Sequence, residues 1–179
     1  MTADVSRSRP RFRLLLPSSA MPNAPAAPLS PDQMLAHWLG HRRLTRRTIE
    51  AFPTDEDFAT FSVGGMRPFA ALTAECLGIA VPTLRGIVTG QWPWEPVAPP
   101  TARAEALEAW DAATPEIERL WAQISPERFQ ETETAFGQWT MPVWALIFYA
   151  IDNEIHHRGQ GFVYLRALGT EPPPFPDRD

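Results

Sequence analysis

No lysine occurs among the 179 residues, and all 16 basic side chains are arginine. That excludes chemistry built on a lysine: a Schiff base, a phosphate-loop lysine or a Ser-Lys pair. A single cysteine, Cys76, excludes an intrachain disulfide and a Cys-rich zinc site. It is compatible with a reducing cytoplasm, the expected location. No run of about 18 apolar residues is present, so no membrane span is expected. Three consecutive leucines follow Arg7, Arg9, Arg11 and Arg13. They fall short of the apolar run of about 7–15 residues that a signal peptide carries. No segment alternates apolar and polar residues between hairpin turns, so no sheet is expected. The net charge of −5 argues against a nucleic-acid partner.

What is present is a core-forming composition: 44% hydrophobic and 11% aromatic residues. The 20 prolines gather at the ends, six of them before residue 32 and four in the last eight positions. Three regions follow: a disordered Pro/Arg-rich leader over 1–29, a folded domain over 30–170 and an extended Pro-rich tail over 171–179. The leader offers no periodic apolar face and is expected to add little stability. Met21 is a candidate true start; the alternative is a genuine basic arm.

The body reads as four helices. Ser30-Pro31-Asp32-Gln33 is a helix start: a Ser N-cap, Pro at the first helical position and Gln closing a capping box. Met34, Leu35, Trp38, Leu39, Leu44, Ile49 and Phe52 follow at helical spacing, and Pro53 ends the run. Residues 53–65 read as a loop. Pro68 opens a second helix striped by Phe69, Leu72, Cys76, Ile79 and Leu84, with Pro82 expected to kink or split it. A third helix is expected from Thr101 to Ile124, with a possible restart at Thr114-Pro115-Glu116. A fourth is expected from Thr140 to Leu168, stopped by Gly169. Four long helices predict an all-α four-helix bundle with long loops, at least one of them a candidate crossover.

The last helix carries the strongest signal. At about 100° per residue, Asn153 and His157 stack on one face, continued by Gln160, Gly161 and Tyr164. Phe148, Ile151, Ile155, Gly159 and Phe162 lie nearly opposite. Two apolar faces on one helix predict a second cover, and a homodimer partner would supply it. A His four residues from another donor is a workable metal-ligand pair; the alternative is that His156 and His157 are ordinary, partly buried histidines.

The run His156-His157-Arg158-Gly159-Gln160, followed by Tyr164-Leu165-Arg166, resembles the last helix of the DinB/YfiT-like superfamily of metalloenzymes. Met66-Arg67-Pro68-Phe69 resembles the segment before that family's second helix, and Arg46-Arg47-Thr48-Ile49-Glu50-Ala51-Phe52 the end of its first. The resemblance spans 31–170. It implies a four-helix bundle, often dimeric, with one divalent metal near one end held by three histidines. Carried onto this chain, His157 keeps its role, Asn153 stands at the second ligand position and Glu75 at the third. This Glu/Asn/His set is harder and richer in oxygen than three histidines. Zinc, nickel, manganese and iron are all candidates. Without the resemblance, Glu75 reads as a solvent-facing residue of an amphipathic helix.

His156 and His41 are the candidate general bases, and Arg158 a candidate for orienting a carboxylate. His37 and His41 form another pair four residues apart. Arg42/Arg46 and Arg43/Arg47 form two basic rows, read as solvated faces or as a site for an anion. Most of the seven tryptophans are expected in the core, with Trp92 and Trp94 either packed or roofing a pocket. Two functions remain open. One is a metal-dependent enzyme of transferase or hydrolase type, acting on a small molecule with or without a thiol cofactor. The other is a non-catalytic, stress-associated dimeric bundle that has lost its metal.

Overall fold

The computed structural model describes residues 29–94 and 96–179. The expectations for the leader and for Met21 lie outside the described residues. Four long helices dominate: α1 (Pro31–Glu50), α3 (Phe69–Thr89), α4 (Arg103–Trp121) and α5 (Val143–Ala167). A short α2 (Asp55–Thr60) follows α1, and a hairpin of β1 (Thr132–Ala135) and β2 (Trp139–Pro142) precedes α5. α1 packs on α4 and α5, and α3 packs on the same two. α1 and α3 are therefore diagonal, as are α4 and α5. The 51–68 and 122–142 connections are the two that cross the bundle.

The helix ends obey local chemistry. The capping box at Ser30 forms, with Gln33 N donating to Ser30 Oγ at 3.2 Å and Ser30 N to Gln33 Oε1 at 2.9 Å. Gly90 closes α3 at φ 70, where a side chain would be strained. Pro82 neither splits nor ends α3, and Pro115 lies inside an unbroken α4. Tertiary packing outweighs the lost backbone bond at each site. Thr114 is accordingly no helix start; its Oγ1 donates back to Trp110 O at 3.1 Å. α3 is long and apolar enough to cross a membrane, but 61% of its most apolar window is buried in the bundle. That is the pattern of a core helix.

Two elements depart from the expectations. α2 forms where a loop was read, because Thr54 caps it by accepting from Asp57 N at 3.0 Å. Its Phe58 is buried against Phe52 and Phe69 and closes one end of the core. The antiparallel hairpin forms where no sheet was expected, pairing Ala135 with Trp139 and Thr132 with Pro142. The turn has Phe136 at φ 52 and Gly137 at φ 68, the positive values that match hairpin twist. Residues 140–142 thereby join β2, and α5 begins at Val143 rather than Thr140.

The core divides into a cluster around Trp38, Leu84, Ile117 and Ile147, and a second around Phe52, Phe69, Trp110 and Tyr164. Three of the seven tryptophans, Trp38, Trp110 and Trp121, are buried, fewer than expected. In the second cluster α3 and α5 meet at Gly161, where a Cβ would lie 2.5 Å from the Phe69 ring. Phe69 is itself stacked on Phe52 at 5.0 Å and cannot back away, so this crossing requires glycine.

The Pro-rich tail returns along α1, and its backbone satisfies the exposed arginine row. Arg43 Nε donates to Arg178 O at 2.8 Å and Arg47 Nη1 to Asp179 O at 2.7 Å. Arg46 pairs with Asp111 at 2.7 Å, and Arg42 is buried. Both basic rows thus meet partners within the chain.

Candidate functional site

α3 and α5 bring together the three residues expected as ligands. Asn153 Nδ2 lies 2.9 Å from Glu75 Oε1, His157 Nε2 lies 3.0 Å from the same oxygen, and the two nitrogens are 3.2 Å apart. The four-residue spacing on α5 places Asn153 one turn before His157. Glu75 faces them from the middle of α3. Arg67, just ahead of α3, pairs with the other carboxylate oxygen at 2.6 Å. Its position is fixed by its own carbonyl, which accepts from buried Tyr164 Oη at 2.8 Å.

Burial alone would raise the Glu75 pKa. The donors from His157, Asn153 and Arg67 outweigh it and hold the carboxyl down at about 2. Glu75 is therefore an anion at neutral pH. Cys76 lies behind the cluster with Sγ 3.7 Å from Asn153 Oδ1, and burial first of all pushes its thiol up.

Metal–ligand bonds of about 2.0–2.2 Å would set ligand atoms about 3.3–3.6 Å apart around one tetrahedral ion. The observed separations of 2.9–3.2 Å need only a small spread. The amide presents Nδ2, so a half-turn of the Asn153 side chain is required to offer its oxygen. His157 Nδ1 is buried without a hydrogen-bond partner among the described residues, whereas a ligating histidine is usually held through that nitrogen. No group of three His, Cys, Asp or Glu suited to a metal occurs among the described residues, because the third donor here is an amide. The set fits a weak, oxygen-rich site.

The other candidates lie elsewhere. His156 is exposed and bonds Gln160 at 2.8 Å, though its ring centroid is 5.1 Å from that of His157. His41 and Arg158 bond each other, Arg158 Nη2 donating to His41 Nδ1 at 2.9 Å. They belong to a second buried network that the sequence reading did not identify. Its centre is Glu154, 2% exposed, which accepts from Thr45 Oγ1 at 2.7 Å and Trp38 Nε1 at 3.2 Å. Arg42 Nη1 stands 3.9 Å away, with its guanidinium over the Trp110 ring. The signal that could have found it is Trp38, Arg42 and Thr45 at spacings of four and three, one helical face.

Burial, the nearby guanidiniums of Arg158 on α5 and Arg178 in the tail, and His37 on the same helix push His41 down to about 3. The unfolded chain takes up this proton as pH falls through about 6.5, while the native ring stays neutral until about 3. Native stability should therefore fall with acidification across that window, by at most about 1.4 kcal/mol per pH unit from this group. His41→Asn, which keeps an acceptor for Arg158, should flatten the dependence. Urea midpoints at pH 7 and pH 5 check this; an unchanged drop in the variant would refute it.

Beside the cluster opens a cavity of about 460 Å³, with Glu75 and Arg67 on its wall. Trp94 from the 90–102 connection and Phe136 and Trp139 from the hairpin enclose it, and the Phe136 ring packs on both tryptophans. Trp94 therefore roofs a pocket, while Trp92 packs over Gly86.

The sequence matches the model of the DinB family over residues 21–178. The fold is similar to the crystal structure of a DinB-like protein from Bacillus cereus ATCC 10987. That match has a TM-score of 0.67 and 18% identity, and covers 80% of this chain and 95% of that one. It is also similar to a DinB-like protein, YjoA, from Bacillus subtilis, with a TM-score of 0.63 and 20% identity, covering 82% and 99% of the two chains. No curated protein matches the sequence.

Proposed function

The chain belongs to the DinB family, and from that premise we propose that it binds one divalent metal through Glu75, Asn153 and His157 and acts as a metal-dependent enzyme of transferase or hydrolase type. The observation that carries the reading is the convergence of a carboxylate anion, an amide and an imidazole at 2.9–3.2 Å from one another, beside a cavity. An ion with an open position there would lower the pKa of a bound thiol or water. Within the chain, Arg67 balances the charge of Glu75. His156, adjacent to His157 and exposed, is the histidine left for proton transfer. His41 and Arg158 hold α1 against α5. The free, buried Cys76 says little about compartment, though it is compatible with the cytoplasmic setting proposed for this chain.

One observation favours the alternative of a bundle that has lost its metal: Arg67 already supplies a cation to Glu75. Elemental analysis separates the two readings, on protein purified without chelator or metal-binding tag and then loaded with zinc, manganese, nickel or iron. Partial, exchangeable metal is expected, abolished by His157→Ala and unaffected by His37→Ala. Absence of any metal after loading would leave the non-catalytic bundle.

A symmetric homodimer is part of the proposal. Ile151 is buried inside the chain, but Phe148, Ile155 and Phe162 on the same face are only partly covered, and Trp144, packed on Phe148, is 42% exposed. Light scattering at micromolar protein should give twice the chain mass; a single-chain mass at all concentrations would remove the dimer.

A further inference from the structure

The cavity beside the cluster is large, apolar and polarised at one end. Its volume of about 460 Å³ falls within the range of ligand pockets. It is roughly three times the ~150 Å³ that accepts a single aromatic ring. The only charged side chains on its described wall are Arg67 and Glu75. Apart from Thr83 the remainder is apolar or aromatic, with Trp94, Trp139 and Tyr149 each about half exposed. Large aromatic surfaces left this open around a concavity are costly unless something covers them.

The two charged groups are not equivalent. Glu75 Oε1 receives two donors and Oε2 receives Arg67, so the carboxylate has little left to offer an incoming molecule. Arg67 carries five N–H donors in a planar fork. Among the described residues it directs only Nη2 to an acceptor, with its side chain 54% exposed. An ion bound at the cluster would compete for Glu75 and free more of that fork. Without metal the Arg67–Glu75 pair carries no net charge, but the N–H donors left unused at the polar end belong to Arg67, a fork shaped for a carboxylate.

We propose that the cavity binds a monocarboxylate with an apolar body, of about two fused aromatic rings or an equivalent alkyl chain, and that Arg67 is the residue that selects the acid. The apolar body lies between the Trp94 roof and the hairpin, and the carboxylate meets the guanidinium beside Glu75. This names the substrate class of the site proposed above and rests on that reading only for where chemistry would occur. Binding itself is set by Arg67 and the aromatic walls. It is therefore measured on chelator-treated protein, so loss of the metal reading leaves it standing and its own failure leaves the metal reading standing.

The probes are 2-naphthoate and its neutral isostere 2-naphthamide, titrated calorimetrically at neutral pH. The acid should bind at least about tenfold tighter than the amide. Arg67→Gln should bring the acid to the level of the amide without weakening the amide, and Arg67→Lys should fall between. Because the Tyr164 contact uses the Arg67 carbonyl, these variants should fold, which circular dichroism checks. Trp94→Ala should weaken both probes together. Equal binding of acid and amide, no binding of either, or an acid preference that survives Arg67→Gln would each overturn the proposal.

Discussion

Glu154→Leu should lower the unfolding free energy by about 3–5 kcal/mol, the cost of leaving a buried charge without its partner. The carboxylate is buried between α1 and α5. Its removal strands two donors at once, Trp38 Nε1 and the Arg42 guanidinium, while Thr45 Oγ1 keeps His41 O as an acceptor at 3.1 Å. Arg42 is 1% exposed and cannot turn to solvent. Its other nitrogens are already bound to Thr114 Oγ1 and Trp110 O, both at 3.0 Å, so the group is locked in place. For a chain of this size the loss corresponds to a melting temperature lower by about 10 °C.

The double variant Glu154→Leu with Arg42→Leu separates charge from packing. Replacing a buried ion pair by apolar groups is often close to neutral. The double variant should therefore recover a large part of the loss, though not all, because Arg42 also stacks on Trp110 at 4.1 Å. A cost below about 1 kcal/mol for Glu154→Leu, read by urea unfolding, would show that this network does not hold α1 to α5. Burial is the main force raising the Glu154 pKa, against Arg42, Thr45, Arg158 and Trp38. The attraction within the pair is therefore set against the cost of burying the carboxylate.

The fold was legible where it rests on local chemistry. The Ser30 capping box, the long apolar stripes and Gly169 mark helix ends through nearest-neighbour rules, and the structure follows them. The short elements were not legible. A strand of four residues such as Thr132–Ala135 shows too few alternations to register, and α2 is one capped turn and a half. Thr54 and Asp57 did carry the cap signal. The α5 half of the site could be read because Asn153 and His157 share one helix and hence one face. Glu75 required the resemblance to a family, since no spacing relates α3 to α5. Glu154, Arg42 and Thr45 escaped for the same reason, as their meeting is a product of helix packing. Arg67 was read only as part of a motif, and its pairing with Glu75 depends on how the chain enters α3. The cavity depends on a loop and a hairpin, the two parts with no periodic pattern to read.

Asn153→His should raise zinc retention by at least about a hundredfold over the parent chain. In the parent, Asn153 presents Nδ2, and once turned it offers only the oxygen of a neutral amide, which gives zinc little. The substitution keeps Glu75 and places imidazoles at 153 and 157, one turn apart on α5. The result is a carboxylate and two histidines, a set that holds catalytic zinc with a fourth position open. No turning of an amide is then required, and Cys76 Sγ, now 3.7 Å from Asn153 Oδ1, loses only a weak contact. Arg67 opposes the gain, because it must yield part of Glu75 to the ion. Arg67→Gln added to Asn153→His should therefore tighten zinc further, the reverse of its expected effect on carboxylate binding. Competition against a chromogenic chelator measures both steps. If Asn153→His leaves zinc affinity where it was, residues 75, 153 and 157 do not face one ion. The cluster would then be a hydrogen-bonded tie between α3 and α5.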